Sequence, residues 1–316
     1  MYIPPIPQDT KRSSAEKAVK QWHPQAKIIR HIVDSGNFTY LISLENQQMI
    51  LRLTDPDFRT KSENLAELEY LLHLHQEQVQ VAIPIPFSSG KLLEEVPDKT
   101  ETLLASVFKY APGEMVQQDS KYWGKSFFLT WGQTLGNIHR ASRSFSPASE
   151  NKRWHWKDEL LLREALQLIP EDDTPSLREW DKVMEWLAQR EVHQGNFGMI
   201  HADFASQNFH YHPEQGITVF DFGNCCYHWF DADLAISLSV LRRYPDKQLY
   251  KEWILEGYQN AHFFESDLEQ ALNWLMRLRI LYVYLSRLHK FGKQPNETQQ
   301  KTLRQLKERV HKTFIW

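Results

Sequence analysis

Residues 201–223 read HADFASQNFHYHPEQGITVFDFG and constrain this chain more than any other stretch. Two short apolar runs, Gly198 to Ile200 and Ile217 to Phe220, read as strands that end on polar groups. Asp203 lies five residues before Asn208, and Asp221 comes thirteen residues later, at the end of the second run. Functional side chains at strand ends and on the loops between them are what a rigid scaffold provides. This spacing suits phosphoryl transfer from ATP, where catalysis is mostly positioning and charge neutralisation. Mg²⁺ takes hard oxygen ligands at about 2.0–2.1 Å and keeps some of its waters. Asn208 and Asp221 offer two such oxygens. Asp203 is then left to accept a proton from an attacking hydroxyl, a contribution typically worth about 10²–10⁴ in rate. Asp, Asn and Gly also favour ordinary turns. Against a turn-only reading, His201 precedes Asp203 by two residues, and Asp221-Phe222-Gly223 lies on its own strand.

The segment resembles the catalytic region of the aminoglycoside phosphotransferase and choline kinase group, which shares the protein-kinase-like fold. Members carry His-Gly-Asp-x4-Asn and then a hydrophobic-Asp-hydrophobic-(Asp/Gly/Glu) strand end. Here Ala202 stands where the family usually has Gly. The resemblance implies that Asp203 is the catalytic base, with His201 bracing its loop, and that Asn208 and Asp221 are the metal ligands. Asp233, in Asp231-Ala232-Asp233-Leu234-Ala235, matches the family's downstream Asp-Leu-Ala, whose carboxylate starts a helix and holds the catalytic loop.

The rest of the chain predicts an α+β fold with two lobes, a small antiparallel β lobe over residues 1–110 and a large, mostly helical lobe over 111–316. A helix is predicted over 13–22 with Ser13 or Ser14 as N-cap. Three β-like runs come next, Lys27 to Val33, Phe38 to Leu44 and Met49 to Leu53, separated by turns. A helical pattern runs from about Arg59 to Gln76, and another apolar run from Thr102 to Tyr110. Beyond it, helices are predicted at roughly 119–145, 158–169, 176–190, 231–242, 245–261, 265–290 and 296–312.

By the resemblance, the small lobe holds the nucleotide. Ser35 and Gly36 belong to the candidate phosphate-covering turn. Arg52, on the third run, is the family's contact to the α- and β-phosphates; the alternative is a solvated strand arginine, with Leu51 and Leu53 facing the core. Its acidic partner is Glu67 or, in the rival register, Glu63. In Phe108-Lys109-Tyr110-Ala111-Pro112-Gly113-Glu114, which resembles the family hinge, the Lys109 carbonyl and the Ala111 amide are the choices for the adenine edge. In Leu135-Gly136-Asn137-Ile138-His139 the histidine reads as packing.

Composition narrows the partners. The formal net charge of −3 and the absence of a basic run point away from nucleic acid. Neither a signal core nor a stretch of about 20 apolar residues is present, so no membrane is expected. Cys225 and Cys226, adjacent in sequence, make a poor structural disulfide and suit a reducing cytoplasm. His201, His210, His212 and His228 lack a zinc-like ligand spacing. The aromatic run Tyr227-His228-Trp229-Phe230 suits either core or a cation–π box, and Glu171-Asp172-Asp173 either a solvated loop or a polyamine contact. The resulting expectation is an ATP- and Mg²⁺-dependent phosphotransferase acting on the hydroxyl of a small molecule, such as an aminoglycoside, choline, homoserine or a sugar-like alcohol. The alternatives are an inactive nucleotide- or metabolite-binding regulatory module and a protein Ser/Thr kinase. Against the last, the chain lacks a Gly-rich loop and an Ala-Pro-Glu segment.

Overall fold

The structure is a computed structural model that describes residues 9–34, 37–99, 101–148, 150–264 and 267–312. Ser35 and Gly36 lie outside the described residues. The chain begins α1 (Arg12–Trp22), β1 (Lys27–Asp34), β2 (Asn37–Leu44), β3 (Gln47–Thr54), α2 (Lys61–Gln76), β4 (Pro84–Ile85), β5 (Glu94–Asp98) and β6 (Glu101–Lys109). It continues with α3 (Lys125–Ser142), α4 (Leu160–Arg163), α5 (Ala165–Leu168), α6 (Thr174–Gln189), β7 (Phe197–Ile200), β8 (Phe209–His212), β9 (Gly216–Val219) and β10 (Cys226–Trp229). Four helices close it: α7 (Phe230–Leu241), α8 (Lys247–Gln259), α9 (Leu268–Phe291) and α10 (Glu297–Val310). Two compact units result. One comprises Met1–Glu114, Ser146–Arg153 and Phe209–Gly223; the other comprises Met115–Phe145, Trp154–Asn208 and Asn224–Trp316. The chain leaves the first unit after Glu114 and then returns to it twice.

The first unit is an antiparallel sheet in the order β1-β2-β3-β6-β4, with β5 also paired to β6. Ala15, Ala18, Val19 and Trp22 of α1 join Tyr40, Leu51, Leu53 and Val107 in one buried cluster. Side chains alternate along a strand, so Arg52, between Leu51 and Leu53, is turned to the opposite face. The α1 cap differs from expectation. The N-cap is Lys11, without a side-chain cap bond. Ser14 lies inside the helix, and its hydroxyl donates to Asp98 Oδ1 at 2.6 Å. A tertiary acceptor on β5 outcompetes the local capping role.

The second unit is helical apart from the β7–β10 ribbon, in which Cys226 opposes Ile200. Helices α3 and α8 cross at glycines. A Cβ on Gly132 would lie 1.9 Å from the Ile254 carbonyl oxygen, and one on Gly257 would lie 2.0 Å from that of Leu129. No other residue lets the two backbones approach this closely. Long α9 packs against α6, α7 and α10. The single helix expected over 158–169 is instead a 3₁₀ turn at Trp156–Asp158 and then the one-turn helices α4 and α5. Leu160 and Leu166 remain 52% and 62% exposed, so this stretch has no continuous apolar stripe to bury.

Candidate active site

In the first unit, Arg52 and Glu67 form a fork-to-fork pair. Arg52 Nη1 donates to Glu67 Oε1 at 2.7 Å and Nη2 to Oε2 at 3.0 Å. The residues are 6% and 2% exposed, so the solvated-strand reading of Arg52 does not hold. The rival acid, Glu63, is committed to a capping box: its Oε2 accepts the Thr60 N–H at 2.7 Å, and Thr60 caps the Glu63 amide. Burial alone would push the Glu67 carboxyl up. The Arg52 charge and hydrogen bonds outweigh it, with Arg153 and Arg59 adding, and hold the carboxyl below its ordinary range. The Arg52 guanidinium also lies 4.9 Å over the Phe108 ring. At the hinge-like segment, the Lys109 N–H donates to the Ile83 carbonyl at 2.9 Å. The Ala111 carbonyl accepts the Nδ1–H of His210 at 2.8 Å.

The β8–β9 hairpin pairs Phe209 with Val219. The Val219 N–H donates to Gln80 O at 3.0 Å, and its carbonyl accepts from Ala82 at 2.8 Å, which fixes β9 to the preceding chain. Asp221, exposed two residues beyond β9, adopts φ +62. Phe222 is buried and meets the Tyr70 ring of α2 edge-on at 5.8 Å.

In the second unit, β7 delivers the chain to His201. The buried Asp233, in the first turn of α7, organises the loop that starts there. Its Oδ2 accepts the His201 N–H and its Oδ1 the Ala202 N–H, both at 2.8 Å. His139 Nε2 lies 3.4 Å from the same carboxylate, and His139 Nδ1 lies 2.8 Å from Tyr258 Oη. Ala202 has φ +64. A side chain in this left-handed region costs about 1–2 kcal/mol, which explains why glycine suits the position. His201 is fully buried, and its Nδ1 accepts the Asp203 N–H at 3.2 Å.

Asp203 is held at both oxygens. Asn208 Nδ2 donates to Oδ2 at 3.1 Å and to the Asp203 carbonyl at 2.9 Å, while Arg279 Nη2 donates to Oδ1 at 3.0 Å. The amide nitrogen of Asn208 is thus spent on Asp203, leaving its oxygen as the group that suits a hard cation. Sequence reasoning does not reach Arg279, although a signal exists. Arg277 and Arg279 interrupt the otherwise apolar run of residues 274–285 within α9, and arginines in such settings are almost always paired. Arg277 pairs with Glu179.

An open cleft is lined by Ala202, Arg279, Trp154, Trp156, Tyr282 and Glu159. The Tyr282 hydroxyl donates to Glu159 Oε1 at 3.3 Å. His228 also lines the cleft, and burial pushes its imidazole down to about 3, so it is neutral there. Its neighbours Trp229 and Phe230 are buried core. Asp173, of the acidic run, is the fully buried N-cap of α6 and accepts from Tyr284 at 3.0 Å. Among the described residues, no cluster of three or more His, Cys, Asp or Glu could hold a metal ion. Taken singly, the Asn208 amide oxygen and the Asp221 carboxylate are each the kind of hard oxygen donor that Mg²⁺ takes.

Comparison with known proteins shows the family. The pattern of the phosphotransferase enzyme family matches residues 28–271. Amicoumacin kinase of Bacillus subtilis (strain 168) is 31% identical over 271 residues, covering 81% of this chain and 78% of the relative. The solved structure of amicoumacin kinase hAmiN, in complex with AMP-PNP, Ca²⁺ and Ami, superposes with a TM-score of 0.86 at 26% identity, covering 95% of this chain and 93% of the other. A microcompartment-associated aminopropanol kinase shares the fold with a TM-score of 0.78 at 21% identity, covering 93% of this chain and 94% of the other. The fold is therefore the kinase-like phosphotransferase fold, and the chain belongs to the phosphotransferase enzyme family, among its small-molecule kinases.

Proposed function

We propose that this protein transfers the γ-phosphate of ATP to a hydroxyl of a small molecule, with Asp203 as the general base. The observation that carries the reading is the hold on Asp203: Arg279 and Asn208 fix its two oxygens, so the carboxylate is oriented before an acceptor arrives. Asp203 takes the proton of the attacking hydroxyl, and His201 and Asp233 keep its loop in place. Arg52, positioned by Glu67, is assigned to the α- and β-phosphates. Ser35 and Gly36 are assigned to cover them, and the Lys109 carbonyl and Ala111 amide to the adenine edge. Asn208 and Asp221 are the residues that would hold Mg²⁺. When bound, that ion neutralises charge on the phosphates.

The cleft favours an acceptor with an apolar body. Arg279 is already paired with Asp203, and among the described residues Glu159 is the one carboxylate that lines the cleft, poor provision for a polycation. No nucleic acid or membrane is assigned as a partner; among the described residues, no helix is long and apolar enough to cross a bilayer. Cys225 and Cys226, both buried and adjacent in sequence, make a poor structural disulfide and support a cytoplasmic setting.

The test is ATP consumption, with and without Mg²⁺, over amicoumacin, simple amino alcohols and aminoglycosides. Mg²⁺-dependent turnover on an apolar-bodied alcohol is expected, with little on aminoglycosides. ATP binding without turnover on any acceptor would favour the regulatory-module reading.

A further inference from the structure

After α3 the chain returns to the first unit as the segment Ser146–Arg153 and lies along α2. Ser62 Oγ donates to the Glu150 carbonyl at 2.8 Å, and the Lys152 N–H donates back to Ser62 Oγ at 3.1 Å. Glu69 accepts from Asn151 Nδ2 at 2.6 Å and from the Ala148 N–H at 3.1 Å. The strap ends at Arg153, only 4% exposed, whose guanidinium donates to three backbone carbonyls. Nη1 donates to Glu63 O at 3.2 Å, and Nη2 donates to the carbonyls of Phe222, at 3.4 Å, and Gly223. Arg59 Nε reaches the same Gly223 carbonyl at 3.3 Å.

We propose that Arg153 is a positioning residue for Asp221, tying the turn after the metal strand to the helix that carries Glu67. The inference rests on the reading of Asp221 as a Mg²⁺ ligand. Asp221 sits at φ +62, a conformation that an aspartate keeps only where its surroundings over-determine it. The carbonyls of the next two residues are what Arg153 grips, and Phe222 is pressed on Tyr70 of the same helix. One guanidinium thus registers the Arg52–Glu67 pair and the Asp221 carboxylate against each other. Arginine suits this task because its planar fork donates in several fixed directions and stays charged when buried.

The test titrates Mg²⁺ against the full-length protein at fixed ATP by calorimetry, beside metal-free adenosine binding and Tm. Arg153→Met should raise the half-saturating Mg²⁺ concentration by about 10-fold or more, the usual cost of losing an outer partner of a metal ligand, with adenosine affinity kept within about 2-fold. Arg153→Lys and Arg59→Met should shift the midpoint in the same direction by less. A lowered Tm with an unchanged Mg²⁺ midpoint, or a parallel loss of adenosine affinity, would overturn the proposal. If Arg153→Met does not fold, unchanged midpoints in the other two variants would do so. Asp221→Asn separates the two levels. If it titrates like the unaltered protein, the metal assignment itself fails. If it shifts while the arginine variants do not, only the role of Arg153 fails.

Discussion

Replacing Asp203 with alanine is expected to cut turnover by at least about 10², the lower end for a lost general base, while ATP affinity stays near that of the unaltered protein. The structure refines which variant asks the question most cleanly. Alanine leaves Arg279 without its carboxylate and takes one of the two Asp203 acceptors from Asn208. Asn208 keeps its bond to the Asp203 carbonyl at 2.9 Å, so the metal side of the loop should survive. Asp203→Asn preserves an acceptor for Arg279 but cannot take a proton, and it should lose turnover to a similar degree. The measurement pairs ATP titration with steady-state kinetics on the acceptor found by the panel. Loss of ATP binding together with activity would make Asp203 structural or metal-binding. Unchanged turnover would remove it from the mechanism.

The second large effect is on stability. Arg52→Ala strands the Glu67 carboxylate at 2% exposure, and breaking a buried pair from one side typically costs about 3–5 kcal/mol. The double replacement Arg52→Leu with Glu67→Leu should cost much less, because it leaves no unpaired charge. Acid dependence gives a further check. The folded Glu67 carboxyl is held below its ordinary range, so its contribution is fully present above the unfolded value and is lost as pH falls through the folded one. Denaturant unfolding below the ordinary carboxylate range should therefore show a steeper acid loss in the unaltered protein than in the double-leucine variant. Parallel acid curves would mean that the pair contributes no pH-dependent stability.

The two lobes were legible in the sequence because local patterns and chemistry coincide there. Strands β1 to β3 announce themselves by β-branched runs between turns, and the 201–223 segment by side chains that only a few reactions need together. Glu67 against Glu63 was ambiguous by spacing alone, since both lie on α2. Thr60-Lys61-Ser62-Glu63 carries the capping-box spacing, which accounts for Glu63 and leaves Glu67 for Arg52. The Arg279 and Arg153 contacts were not legible. Their partners stand 76 and 70 residues away, and a charge inside an apolar run signals that it is paired but not with which distant group. The α1 cap failed for the same reason, because Asp98 lies 84 residues from Ser14.

Asp233 has a consequence for motion. A loop just past a strand end usually opens readily and exchanges its amide hydrogens fast. Here the first two loop amides, His201 and Ala202, donate to a carboxylate that is fully buried at the start of α7. Those two hydrogens should be released to deuterated solvent only when the first turn of the helix opens. Their exchange rates should track those of α7 rather than those of other surface turns, and the loop that carries the base would then behave, on the timescale of minutes to hours, as an extension of a helix.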